Sequence, residues 1–332
     1  MVDLRGLISF LHRPRFPFKF VYSDAYWMVD LGDHVFPIVK YRLIYEQLLS
    51  AGIRKENILT PQPASDSEVE LVHTSRYVKK IRQGKLSQAE MSALEIPYCP
   101  ECVDFAFLTV GGTIRAAEQA LEDGVCFHIG GGFHHAFRDH GEGFCVFNDV
   151  AVSLEKLKRE GRIQRAMVVD CDVHQGNGTA VIFSGKDYVY TFSIHQMDLY
   201  PAQKPHSSLD VGLWTGDGDD NYLNALQEHI PRIYEEFQPD LVCYLAGADP
   251  LDKDQLGGLR ISHDGLKERD RIVIENARRM KVPLFIVLAG GYAPDITDTV
   301  DVHMHTIDVA RKAELGSSSW FRRADRARRK SG

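Results

Sequence analysis

A chain of 332 residues with 44% hydrophobic content has enough apolar material for a large buried core, and that length fits one big α/β domain as well as two small ones. Its 46 acidic residues outnumber its 39 lysines and arginines, so the body lacks the broad positive field that holds phosphates, and nucleic acid is excluded as a direct partner. Six dispersed cysteines are too few for a small secreted scaffold stapled by disulfides, which points to a reducing, cytoplasmic setting.

The first apolar stretch, residues 4–21, is broken by Arg5, His12, Arg13, Arg15 and Lys19, so neither a signal-peptide core nor a membrane span is expected. Residues 18–22 read as a strand and 38–49 as a helix. Cys99-Pro100-Glu101-Cys102 is a lone CxxC without a second pair to complete a four-cysteine metal site. A thioredoxin-like role requires it to open a helix after a strand, and a solvent-side turn carrying two thiols is expected instead. Residues 108–121 read as a helix interrupted at Gly111-Gly112.

From about residue 120, short apolar β-rich runs at 125–129, 166–169, 189–193, 241–246 and 284–288 alternate with amphipathic segments, the signature of βαβ units and a mainly parallel sheet. Leu223, Leu226, Ile230, Ile233 and Phe237 share one helical face, and Leu266, Val273, Ala277 and Met280 share another. No Pro/Ser-rich linker divides the chain. The expectation is a single-domain α/β fold over residues 1–315, with a mainly parallel central sheet flanked by helices on both faces. Gly316-Ser317-Ser318-Ser319 is then a spacer to a flexible basic tail, 316–332, carrying Arg322, Arg323, Arg326, Arg328, Arg329 and Lys330.

Four of these strands deliver chemically capable residues just past their carboxyl ends, the edge where open α/β sheets place their sites. The segments are Gly130-Gly-Gly-Phe-His-His135, Asp170-Cys-Asp-Val-His-Gln-Gly-Asn-Gly178, Gly247-Ala-Asp249 and Gly290-Gly-Tyr292. Asp172 and His174, two apart in an extended segment, point to one face, and Asp249 supplies a third ligand. Two carboxylates and an imidazole leave an open position that suits catalytic zinc, whose bound water needs a base and a partner. His134 and His135 can supply both if Asp170 orients one imidazole and Asn177 the other. Tyr292, on a Gly-Gly turn, is placed to donate to an oxyanion. The triple glycine lacks the Lys-Ser/Thr of a phosphate loop, and His73, His128, His206, His229 and His263 read as ordinary surface or core residues.

At these residues, and at Gly143-Phe-Cys145, Asn148-Asp149 and Asp254-Gln-Leu-Gly-Gly258, the chain closely resembles the histone deacetylase family of the arginase-like α/β superfamily, most nearly its class IV branch. The resemblance implies zinc ligands at Asp172, His174 and Asp249, and His135 as principal general base and acid. His134 paired with Asp170 is implied as the electrostatic partner, Asn177 as the group orienting His135, and Tyr292 as the carbonyl-polarising group. It further implies an acyl-lysine tunnel lined by Phe144, an acceptor for the substrate amide at the Gly143 carbonyl, and a structural potassium ion at Asp170, Asp172, His174, Ser193 and Ile194. Residues 195–208 are expected to form one tunnel wall, with Leu199 or Tyr200 facing the acyl chain.

Gln175 and Asn177 depart from the commoner class I pattern of His and Asp; the Asn177 substitution occurs in the class IV pattern too, whose implied preference is for long fatty-acyl groups. The expected partners are acylated lysine peptides or proteins. Two alternatives stay open: a deacylase of small acylated amines such as acetylpolyamines, and an inactive acyl-lysine binding module. A two-manganese ureohydrolase needs a further Asp after His174, where Gln175-Gly176 stands.

Overall fold

The computed structural model describes residues 16–328, so Arg5, His12, Arg13 and Arg15 of the N-terminal stretch, and Arg329 and Lys330 of the basic tail, lie outside the described residues. Among the described residues eight strands form one sheet: Lys19–Val21 (β1), Ile58–Leu59 (β2), Val125–His128 (β3), Ala166–Asp170 (β4), Val189–Gln196 (β5), Leu209–Leu213 (β6), Leu241–Leu245 (β7) and Leu284–Val287 (β8). Their order is β2-β1-β3-β8-β7-β4-β5-β6, and every pairing is parallel. β3, β4, β7 and β8 are buried at each residue because both sheet faces are covered, which is why they read as unbroken apolar runs and do not alternate.

The helices are Lys40–Ser50 (α1), Asp66–Val69 (α2), Ser75–Gln83 (α3), Gln88–Leu94 (α4), Pro100–Asp123 (α5), Asp149–Arg159 (α6), Asn177–Phe183 (α7), Asp219–Phe237 (α8), His263–Met280 (α9) and Ile296–Arg328 (α10). On one face of the sheet Met167, Val169, Val242 and Tyr244 pack with Ile44 of α1, Ile230 of α8, Val273 of α9 and Ile307 of α10. On the other, Val168, Cys243, Phe285 and Val287 pack with Ile81 of α3, Ile114 of α5 and Leu154 of α6. Two apolar cores on either side of a parallel sheet make the helix–sheet–helix sandwich expected from the pattern.

Three expectations are corrected. α5 runs unbroken through Gly111-Gly112, because these glycines serve close approach: a Cβ at Gly111 would lie 1.8 Å from the Gln62 carbonyl oxygen, and one at Gly112 would lie 2.2 Å from the Tyr26 hydroxyl. Cys99-Pro100-Glu101-Cys102 is no solvent-side turn but the start of α5, with Cys99 Sγ accepting from the Cys102 amide at 3.2 Å and Cys102 buried. What precedes it is α4 and a turn, not a strand. α10 continues through Gly316–Ser319, where a spacer was expected; one glycine costs only about 1 kcal/mol in a helix and serine less, so a long helix tolerates the run.

Candidate active site

The site grows from the carboxyl ends of the central strands. After β3 the chain turns through Gly130-Gly131-Gly132, and Gly131 takes φ +74° in a place where a Cβ would lie 2.7 Å from Asp149 Oδ2. Asp149, the first residue of α6, accepts the amides of Gly132 at 3.0 Å and Phe133 at 2.8 Å and so fixes the turn. That turn presents His134 and His135, both buried, toward the residues that follow β4.

The two imidazoles face each other at 3.1 Å, Nε2 to Nε2, yet have different partners behind them. His134 Nδ1 lies 2.8 Å from Asp170 Oδ2, and His135 Nδ1 lies 2.7 Å from Asn177 Oδ1. Burial pulls His134 down, but Asp170 and Asp172 outweigh it and hold the imidazole up at about 9. Burial and then the His134 and His174 charges drive His135 well below its ordinary value. The two rings thus stand in opposite electrostatic surroundings, His134 beside carboxylates that favour its protonated form and His135 beside an amide and neighbouring imidazoles that favour its neutral form.

Asp172, His174 and Asp249 bring ligand atoms within 4.8 Å of one another. Asp172 Oδ2 accepts from the Gly290 amide at 2.8 Å, Asp249 Oδ1 from the Val173 amide at 2.9 Å, and the buried Asp249 Oδ2 is left without a hydrogen-bond partner. Burial and the neighbouring Asp172 carboxylate push Asp249 up to about 8, the response of crowded like charges that a cation relieves. Gly290 is the floor of this cradle, since a Cβ there would lie 1.8 Å from Asp249 Oδ2. An orphaned carboxylate oxygen, a glycine floor and a donor set of two carboxylates and one imidazole fit a divalent ion with open coordination positions.

Tyr292 follows the Gly290-Gly291 turn after β8, its amide donating to Asp254 Oδ2 at 2.6 Å and its carbonyl accepting from Gln255 at 2.7 Å. The ring packs edge-on against Phe144, centroids 6.0 Å apart. Gly143 and Phe144 complete the mouth, at φ +52° and +68°, held by hydrogen bonds from their backbone amides to the carbonyls of Ala93 and Leu94. The pocket between them is narrow, about 20 Å³ in volume. A far larger groove of about 1060 Å³ lies between α9 and α10, lined by charged side chains such as Lys267 and Arg271, and contains no residue expected in the site. Ser193 and Ile194 lie on β5 beside Asp170, outside the pocket lining, with Ser193 in register with Asp170. Of the two candidates on the 195–208 wall, Tyr200 stands over the site, its ring edge-on to His135 at 4.9 Å, while Leu199 packs toward the core.

Two residues escaped the sequence. Lys40 is fully buried, donates to the Ala289 carbonyl at 2.8 Å beneath the Gly290 turn, and lies 5.7 Å from the Tyr292 ring centre; burial pulls its ammonium down to about 8. Nothing in a helix-starting Val39-Lys40-Tyr41 marks that lysine as buried. Glu142 accepts from the Asn177 amide nitrogen and, at 2.8 Å, from the Tyr200 hydroxyl; in the sequence it is one acidic residue in a charged loop.

Residues 34–307 match the model of the histone deacetylase domain. The chain belongs to the histone deacetylase family. Among its relatives, an uncharacterised protein of Picosynechococcus sp. is 39% identical over 86% of this chain and 96% of its own length. Histone deacetylase 2 of Arabidopsis thaliana is 34% identical over 82% of this chain and 74% of its own length, and acetoin utilization protein AcuC of Bacillus subtilis is 28% identical over 82% and 76%. The crystal structure of the HDA15 HD domain superposes with a TM-score of 0.72 at 22% identity, covering 88% of this chain and 87% of that one, and shows the same deacetylase fold. Membership supports a deacetylase-type amide hydrolase. No helix among the described residues is long and apolar enough to cross a membrane.

Proposed function

We propose that the chain is a zinc-dependent lysine deacylase of class IV character, acting on acylated lysine peptides or proteins, with residues 1–315 as its catalytic unit. The observation that carries this reading is the pairing of two facing imidazoles, one backed by a carboxylate and one by an amide, beside the Asp172, His174 and Asp249 cluster. Bound at those three residues, zinc supplies Lewis acidity at the scissile carbonyl and a water whose pKa falls from about 15.7 toward roughly 7.

The protein's own groups do the rest. His135, neutral and with Nδ1 tied to Asn177, offers Nε2 as the proton acceptor and returns that proton to the leaving lysine amine. His134, held cationic by Asp170, stabilises the negative charge that develops alongside. The Tyr292 hydroxyl donates to the oxyanion of the tetrahedral intermediate, an interaction typically worth about 10²–10³ in rate. The Gly143 carbonyl accepts the substrate amide N–H, and Phe144 flanks the lysine methylenes.

We also assign a structural potassium ion to Asp170, Asp172, His174, Ser193 and Ile194. The register that sets Asp170 beside Ser193 on adjacent strands supports it by collecting carbonyls at one sheet end. The long-acyl preference is proposed from the class IV resemblance, in which Asn177 stands where the commoner pattern has an aspartate. We place the protein in the cytoplasm, a reducing setting in which dispersed cysteines stay as thiols.

The test is hydrolysis by zinc-loaded protein of one lysine peptide carrying acetyl, octanoyl or myristoyl groups, with acetylated polyamine alongside. Faster turnover of the long-acyl peptides is expected. Preference for the polyamine moves the substrate to small amines, and binding of every peptide without turnover makes the protein a recognition module.

A further inference from the structure

We infer that Glu142 is a positioning residue for His135, acting through the side-chain amide of Asn177. The inference rests on the deacylase reading for its rate consequences and on hydrogen-bond geometry for its substance.

An asparagine beside an imidazole poses a problem that an aspartate does not. A carboxylate presents an acceptor from either oxygen, whereas the amide has an accepting end and a donating end. With Oδ1 toward His135 Nδ1, the ring keeps its proton on Nδ1 and leaves Nε2 free to accept. With the amide reversed, an N–H faces Nδ1, the ring proton moves to Nε2, and the base is disabled. In the structure Oδ1 faces His135 at 2.7 Å and also accepts from the Gly178 amide at 3.0 Å. The opposite end, Nδ2, donates to Glu142 Oε1. An ionised carboxylate only accepts, so Glu142 can bond the nitrogen end alone and, together with the Gly178 amide on Oδ1, locks the orientation. Half-burial pushes the Glu142 carboxyl up, but hydrogen bonds from His140, Asn177 and Tyr200 outweigh it and keep the group ionised. The same bond polarises the amide and strengthens Oδ1 as an acceptor, so the carboxylate that other arrangements place directly on the imidazole acts here from one residue further out.

The loop bearing Glu142 is held without that side chain. The Cys145 amide bonds the Glu142 carbonyl at 2.9 Å, and Gly143 and Phe144 bond the carbonyls of Ala93 and Leu94 at 3.1 and 2.9 Å. Glu142→Gln therefore removes the charge and the acceptor-only character while leaving the fold in place.

Two measurements test this. In steady-state hydrolysis of the acyl-lysine peptide that the wild type turns over best, E142Q lowers kcat about tenfold with KM within about twofold, the usual size for losing an orienting partner. In an N177D background, where a carboxylate bonds the imidazole directly, the same substitution costs under about threefold. Equal losses in both backgrounds, or an effect on KM alone, overturn the inference, the latter making Glu142 a substrate contact. Independently of activity, 15N-histidine NMR of the metal-free protein, with His135 assigned by H135A, shows the Nδ1–H tautomer in the wild type. A mixture appears in E142Q and Nδ1–H returns in N177D/E142Q; an unchanged E142Q spectrum overturns the inference. A wild type inert toward every acyl peptide would refute the deacylase reading, while the NMR comparison would still decide Glu142.

Discussion

His134 and His135 are adjacent in the chain and opposite in surroundings, a contrast produced by what stands behind each ring: Asp170 for one, Asn177 for the other. His135→Ala is expected to abolish turnover while zinc stays bound, whereas Asp172→Ala or Asp249→Ala removes the metal as well, read by metal content after desalting. Near-normal turnover by the His135 variant would displace it as the base. Tyr292→Phe is expected to reduce kcat by about 10²-fold with little change in KM; an unchanged kcat would take its hydroxyl out of the reaction. At this scale the sequence was informative, because His, Asp and Tyr clustered after strand ends have few other uses. It was silent on Lys40 and Glu142, whose importance lies in contacts across 249 and 35 positions of chain.

At the scale of elements, the strand-to-loop junctions do the positioning, and glycine is what lets them approach. Gly290→Ala would drive a methyl group into Asp249 Oδ2 and Asp172 Oδ2, so it is expected to lose zinc while keeping the far-ultraviolet circular dichroism of the wild type; retained metal would show that the turn can give way. Gly112→Ala meets the Tyr26 hydroxyl and the His128 ring, and a loss of about 1–3 kcal/mol in urea unfolding is expected. The long apolar strands were legible as runs, and α8 and α9 as stripes. β6, with Leu-Asp-Val-Gly-Leu on the sheet edge, carries too little apolar pattern to announce itself, and β2 is two residues long. The helix break expected at Gly111-Gly112 followed from propensity; packing of α5 against the chain at Gln62 and Ala64 reversed it.

For the whole molecule, buried neutral histidines erode stability in acid. Burial pulls His128 down to about 3 and His73 to about 4, each bonded as a neutral ring: His128 to Tyr26 and Thr113, His73 to the Asn148 amide. Unfolded imidazoles titrate near 6.5, so below that pH the unfolded chain binds protons that the folded one refuses. The stability is intact above about 6.5 and falls at about 1.4 kcal/mol per pH unit for each ring as pH drops toward 4. Asp249, pushed up to about 8, takes up a proton in the folded state and works the other way, so the test is differential: between pH 6.5 and 5 His128→Gln should lose less of its urea midpoint than the wild type, and an identical slope in the variant would assign the acid sensitivity elsewhere. The sheet itself was readable from the βαβ rhythm, but its strand order was not, since order depends on which edges meet in space.

That order has a consequence for how the protein is made. Among the described residues β8 is the last strand in chain order, yet it lies between β3 and β7, and no other described strand joins β2-β1-β3 to β7-β4-β5-β6. A growing chain therefore carries two separate half-sheets, each with an open parallel edge, until residue 287 has left the ribosome. Those edges are templates for pairing with other chains, so a stop codon before Leu284 yields an aggregation-prone fragment in which Asp172 and His174 never meet the Gly290 turn.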